Sequence, residues 1–289
     1  MKNNIYLSTG SLVERRNGYN YHTVTETVPP LMEKGFIEGA EFMVIKPYYD
    51  KTKEVIEEFL GAGIVFPVLH SDKEIGTLLS DAAVLTEEGD LSSAKEKKAE
   101  AKELFKRCSE MAQMAGSGRV VLHLWGGLSS DKAVKYNIEW FEELLEISDS
   151  YGIKVLIENV PSASTDPLTN WKLSERYLDR AGLIFDTRFA TCHRQPKETL
   201  TDSIAKKIEH VHISDYVGGL KEFSCLRPVW HPGEGICDFP LIFSLLSELD
   251  YKGTFTLESP GITGGAQINT GRLEESLSFI RNNSVKYFS

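Results

Sequence analysis

VVLHLWGG (120–127), KVLIENVP (154–161), GLIFDTRF (182–189) and EHVHISDY (209–216) share one design: a short apolar run that ends at, or just beside, an acid or a histidine. Each run is rich in Val, Ile, Leu or Phe and too short for a typical helix, so each reads as a strand buried on both faces. Between them the apolar period changes. Lys132–Ser150 spaces Ile138, Phe141, Leu144, Leu145 and Ile147 as on one helical face. Weaker helical spacing follows at Trp171–Arg180 and Lys197–Lys207. Strands that alternate with helices pair in parallel.

The alternation continues in both directions. Upstream strands are expected at Ile5–Ser8, Ala40–Ile45 and Ile64–Leu69, with Val120–Leu124 as the fourth; Lys154–Ile157, Gly182–Phe185, His210–Ile213 and Thr254–Leu257 complete eight. Helices are expected at Thr23–Gly35, Lys51–Leu60 (with Asp50 as N-cap), Ser92–Ala115, Phe239–Leu249 and Arg272–Arg281. Eight β/α units close a (β/α)8 TIM barrel, and no linker or low-complexity tract divides residues 1–289 into two domains. Ser71–Asp90 and Asp215–Gly235 read as long loops over the barrel mouth.

A barrel carries its chemistry at the C-terminal strand ends. Six consecutive strand ends bear His70, His123, Glu158, Asp186, the His210/His212 pair with Asp215 beyond it, and Glu258. With 42 acids and seven histidines in 289 residues, about one position in six is of this kind, so six in succession is more than composition supplies. One such residue alone is ordinarily solvated or structural. Converging at one mouth, three carboxylates and several imidazoles call for a cation, and an O/N donor set suits Mn²⁺, Mg²⁺ or Zn²⁺. Cys108, Cys192, Cys225 and Cys237 form no CxxC pair, which argues against a thiolate zinc site and against a disulfide scaffold.

Composition narrows the partners. The chain is 41% hydrophobic and 26% charged, ordinary for a globular protein, and carries a formal net charge of −10. Acidity of that size disfavours nucleic acid, whose binding draws on phosphate neutralisation. No apolar run approaches the ~20 residues that span a bilayer. The opening MKNNIYLSTG lacks a secretory core, so a cytoplasmic setting is expected.

LIEN, IFDT, HVHISD, HPGEG and FTLES, in this order, resemble the xylose isomerase-like barrel superfamily over essentially the whole chain. That superfamily holds sugar isomerases and epimerases, inosose dehydratase-like enzymes and apurinic endonucleases. The resemblance implies one divalent metal on Glu158, Asp186, His212 and Glu258. His212 is preferred to His210 because the family's ligand histidine precedes an Asp by three, as His212 precedes Asp215. It further implies that Glu158 and Glu258 serve as acid and base, moving a proton α to a carbonyl through an enediolate whose charge the metal takes up.

Two departures bear on the branch. Phe189 stands where the family often has a histidine, with Arg188 beside it and His193 four residues on. The Asp-Arg-His triplet that the endonucleases carry before Gly-Glu-Gly is missing from Leu226–Pro232, although His70 and His123 match histidines those nucleases use. The expected activity is therefore a metal-dependent isomerase or epimerase acting on a sugar or sugar derivative. A lyase dehydrating a polyol or keto-inositol is the alternative, and an endonuclease or a non-catalytic sugar-binding barrel ranks lower. Around the mouth, His70, His123, Arg188, His193, Arg227, His231, Trp125 and Lys46 are expected to contact substrate, with Tyr48 and Trp230 nearby. Glu41, inside the second strand, reads either as a group that orients a hydroxyl or as an edge charge. The oligomeric state, a homo-oligomer included, is left open.

Overall fold

The computed structural model describes residues 3–127, 129–218, 228–262 and 265–288. Eight parallel strands close into a barrel in sequence order: β1 (Ile5–Ser8), β2 (Gly39–Met43), β3 (Val68–His70), β4 (Arg119–Leu122), β5 (Lys154–Glu158), β6 (Gly182–Asp186), β7 (Ile208–Ile213) and β8 (Thr254–Leu257). Helices α1 (His22–Glu33), α2 (Thr52–Gly61), α3 (Glu74–Glu88), α4 (Leu91–Ala115), α5 (Val134–Ser150), α6 (Pro167–Leu173), α7 (Thr187–Cys192), α8 (Pro196–Thr201), α9 (Phe239–Glu248) and α10 (Thr270–Phe288) lie between and after them. This is the expected (β/α)8 barrel. No helix among the described residues is long and apolar enough to cross a membrane.

Two cores hold it. The larger lies between strands and helices, where α4 buries Ala101, Phe105, Cys108 and Met111 and α5 buries Ile138, Phe141, Leu144 and Leu145. The smaller is Tyr6, Val68, Val121, Leu156 and Ile184, one residue from each of five strands, inside the barrel. Side chains two residues apart share a strand face. The inward parity of those five therefore continues toward the mouth as Ser8, His70, His123, Glu158 and Asp186. The same strands that fill the lower barrel with hydrocarbon thus aim polar groups at its top.

Ser71–Asp90 differs from the expectation. Glu74–Glu88 of this segment is helix α3, which buries Ile75, Leu78, Leu79, Ala82 and Ala83 at helical spacing. Gly76 obscured it. A Cβ there would stand 2.6 Å from the His123 carbonyl oxygen and 2.8 Å from that of Trp125, so the helix rests on the β4 loop only because this position is glycine. The second helix begins at Thr52 after a 3-10 turn over Lys46–Lys51, and Asp50 does not cap it. The third strand is shorter than expected because Pro67, which lacks an N–H, stands at its start.

Candidate active site

The ends of β5 to β8 bring Glu158, Asp186, His212 and Glu258 together, with one ligating atom from each within 4.8 Å of the others. His212 Nδ1 is the centre of the group, 2.9 Å from Glu158 Oε1 and 3.6 Å from Glu258 Oε1. The other oxygen of Glu158, Oε2, lies 2.5 Å from His123 Nε2 and 3.5 Å from His70 Nε2, without hydrogen-bond geometry. His70 donates from Nδ1 to the Ser71 carbonyl at 2.8 Å, which turns its Nε2 toward the cluster.

Local structure fixes these groups. Asp186 ends β6 and caps α7, accepting the Phe189 N–H at Oδ1 (2.7 Å), while Oδ2 has no hydrogen-bond partner among the described residues. Asn159, the residue after Glu158, clamps the two strand ends. Its Oδ1 accepts the Asp186 N–H at 2.6 Å and its Nδ2 donates to the Asp186 carbonyl at 3.1 Å. Replacing it with apolar Leu leaves the buried Asp186 N–H unpaired and removes one of the bonds to its carbonyl, so Asn159→Leu is expected to lower unfolding stability by about 1–3 kcal/mol in chemical denaturation. An unchanged midpoint contradicts the clamp.

The charge distribution is unusual for so buried a site. Burial raises the Asp186 carboxyl most; Arg188 pulls it down, Glu158 and Glu258 push it up again, and it stands at about 7. Burial works to raise Glu158, but His123 and His212 outweigh it and hold this carboxyl well below the usual range. Burial works to lower His212, yet Glu258, Glu41 and Glu158 hold it well above its ordinary value. His123 is pushed down to about 4 by burial, against the pull of Glu158.

These residues fit a divalent cation. Asp186 Oδ2, Glu158 Oε2 and Glu258 Oε1 are buried oxygens with no hydrogen-bond partner among the described residues. Three carboxylates in such a place are stable when positive charge sits among them, and three oxygens with one imidazole nitrogen form a hard-to-borderline donor set.

Glu41 is the residue whose importance the sequence hid. It is fully buried in β2, and its Oε2 accepts from His210 Nε2 and His212 Nε2, each at 2.9 Å, and from Thr256 Oγ1 at 3.2 Å. Burial works to raise its carboxyl, but His212 and His210 keep it below the usual carboxylate range. His210 lies one layer beneath His212, with Nδ1 2.5 Å from Thr254 Oγ1, and burial pushes it down to about 4. His210 therefore belongs to the group beneath the carboxylates, and His212 to the carboxylates themselves.

The other expected contacts divide. Arg188 is buried on α7, donating from Nε to Ser214 Oγ at 3.2 Å, and its charge acts on Asp186. His193 accepts the Ser162 N–H at Nε2 (3.0 Å), beneath the loop after β5. His231 lies between Ser276 Oγ at 2.7 Å and the Pro260 carbonyl at 3.1 Å, with both ring nitrogens engaged. Trp125 is fully buried and donates to the Val160 carbonyl at 2.9 Å. Lys46 is an exposed side chain whose Nζ stands 3.6 Å from Glu74 Oε2. Tyr48 is buried among Phe42, Phe59 and Tyr21. Arg227 lies outside the described residues.

HPGEG is built around Asp215. Its carboxylate accepts backbone N–H groups of Tyr216, Gly233, Gly235 and Cys237 at 2.7–3.0 Å. A Cβ on Gly235 would stand 2.3 Å from the Tyr216 carbonyl oxygen, so this turn requires glycine.

Comparison with known proteins agrees with this architecture. An uncharacterized protein of Methanocaldococcus jannaschii is 29% identical over 146 residues, 48% of this chain and 47% of that protein, so the chain spans about half the length of this relative. A D-allulose 3-epimerase from Methylomonas sp., solved with D-allulose, has the same fold with a TM-score of 0.69 at 14% identity, over 98% of this chain and 97% of its own. The IOLI protein, solved with a zinc atom, gives a TM-score of 0.62 at 19% identity over 100% and 98%. The family described as xylose isomerase-like TIM barrel matches residues 36–283, from just before β2 into α10. That match takes in the strands that carry Glu158, Asp186, His212 and Glu258, and the chain belongs to the xylose isomerase-like TIM barrel family.

Proposed function

We propose that the protein is a divalent-metal-dependent epimerase or isomerase of a sugar or sugar derivative, with Glu158 and Glu258 as the proton-transferring pair. The observation that carries this reading is that both glutamates reach His212 Nδ1 from strands three places apart around the barrel. A bound metal on Glu158, Asp186, His212 and Glu258 supplies positive charge beside the substrate's carbonyl oxygen, which makes the adjacent C–H more acidic.

The protein's own groups do the rest. One glutamate takes the α-proton and leaves an enediolate; the other returns a proton to the opposite face, so the substrate's formula is unchanged and one stereocentre is inverted. In an aldose–ketose isomerisation the proton returns to the neighbouring carbon instead. His123 and His70 sit on the far side of Glu158 and hold the substrate hydroxyls next to it. Arg188 steadies the carboxylate charge from α7. The relatives solved with D-allulose and with zinc support the substrate class and the metal.

Incubation of the metal-loaded protein in D₂O with a panel of ketoses, aldoses, their phosphates and keto-inositols tests the reading. A true substrate exchanges its α-hydrogen for deuterium and yields an epimer or isomer. Product that has lost water assigns the chemistry to a lyase, and absence of exchange across the panel contradicts proton transfer.

A further inference from the structure

We propose that Glu41 is a positioning residue that makes Nδ1 of His212 the metal-facing atom, and that His210 and Thr256 hold Glu41 in place for this task. The inference rests on the metal of the proposed function and concerns residues outside the Glu158, Asp186, His212 and Glu258 set.

A neutral imidazole carries its proton on one nitrogen and offers a lone pair on the other, so a ligand histidine works only when something selects the tautomer. Both nitrogens of His212 meet carboxylates, and only those at Nδ1 belong to the Glu158, Asp186, His212 and Glu258 set. Nδ1 looks toward Glu158 and Glu258, and Nε2 lies 2.9 Å from Glu41 Oε2. An ionised carboxylate only accepts, so Glu41 holds the hydrogen on Nε2; a metal bound among Glu158, Asp186 and Glu258 would take the place of the hydrogen on Nδ1, leaving that nitrogen's lone pair to the metal. Glu41 thereby selects the tautomer with its lone pair among the carboxylates.

Glu41 is itself held. It is fully buried, and among the described residues its charge faces no Lys or Arg ion pair. Three donors converge on its Oε2: His212, His210 and Thr256. His210 donates from Nε2 because the Glu41 carboxylate only accepts, and its Nδ1 is then left to take the hydroxyl hydrogen of Thr254. The series Thr254, His210, Glu41, His212 thus runs across three strands to the metal position, each donor meeting an acceptor. Because all three bonds fall on one oxygen, the direction of Glu41 is fixed, and with it the plane of the His212 ring.

A carboxylate placed only to tie β2 to β7 would affect stability and leave metal binding alone. Two readouts separate the roles without a substrate, so failure of the sugar reading leaves both readable. In histidine-¹⁵N-labelled, Zn²⁺-loaded protein, long-range ¹H–¹⁵N spectra are expected to show His212 protonated at Nε2 and metal-bound at Nδ1. Glu41→Gln keeps the size and an acceptor oxygen but removes the charge. Its Zn²⁺ Kd, measured by chelator competition, is expected to rise about 10–100-fold. Zinc on Nε2 of His212, or a wild-type Kd in Glu41→Gln, overturns the proposal. Should the variant fail to fold, the tautomer in the unaltered protein decides alone. An unaltered protein that takes up no Zn²⁺ overturns this proposal together with the metal reading.

Discussion

Glu258→Gln is expected to slow α-hydrogen exchange with solvent by about 10²–10⁴-fold, the usual loss when a general base is removed, while metal stays at least partly bound. The carboxamide keeps the length of the side chain and one oxygen, so ligation weakens without vanishing; what disappears is the basic site. Glu258 suits this experiment better than Glu158. Glu158 Oε2 also faces His123 and His70, and a change there would disturb two histidines along with the base. Exchange should be followed by mass spectrometry on a confirmed substrate, with bound metal quantified in the same preparation. A variant that exchanges at the wild-type rate shows that the two-glutamate mechanism is wrong.

Asp186→Asn should act through affinity. Asp186 uses Oδ1 to cap α7 and leaves Oδ2 open toward the carboxylates. Asn keeps the cap and places an NH₂ where the open oxygen stood, and an amide nitrogen is no ligand for these ions. Metal affinity is expected to fall by more than the ~10–100-fold that outer-shell changes cost, and excess metal should restore part of the activity. The same binding appears as stability. A metal held only by the folded chain adds about 2.7 kcal/mol when free metal stands at 100 times Kd, and chelation should remove that increment. In Asp186→Asn the gain at equal metal concentration should shrink accordingly. Equal thermal shifts in the two proteins would mean that Asp186 is not a ligand.

What was legible in the sequence follows from how barrels are built. Parallel strands covered on both faces show as apolar runs, and the first polar residue at the end of each run points to the mouth. That is why Glu158, Asp186, His212 and Glu258 stand out in KVLIENVP, GLIFDTRF, EHVHISDY and GTFTLESP. Strand parity carries further than strand ends alone. Glu41 sits mid-strand in GAEFM and looks like an edge charge, yet its register with Ser8 and Val68 places it on the inner face. Nothing local marks it, since its partners lie 169 and 171 residues away.

Loop residues were harder, because a strand end fixes position but not the path of the chain after it. His231 and His193 were expected at the substrate. Each meets a group from a distant segment that the sequence does not announce: Ser276 and Pro260 for His231, and Ser162 for His193. Lys46 turns outward on a 3-10 turn that its own sequence, KPYYDK, does not announce. Helix α3 read as a loop because a glycine normally weakens a helix, whereas Gly76 is there for close contact with the β4 loop.

The most direct measurement is an anomalous difference map from crystals grown with saturating Mn²⁺, backed by elemental analysis of the same protein. One peak per chain is predicted, bounded by Glu158, Asp186, Glu258 and Nδ1 of His212. A peak lying elsewhere, or none among these four residues after saturation with Mn²⁺ and then Zn²⁺, would contradict the metal-centred reading of the site.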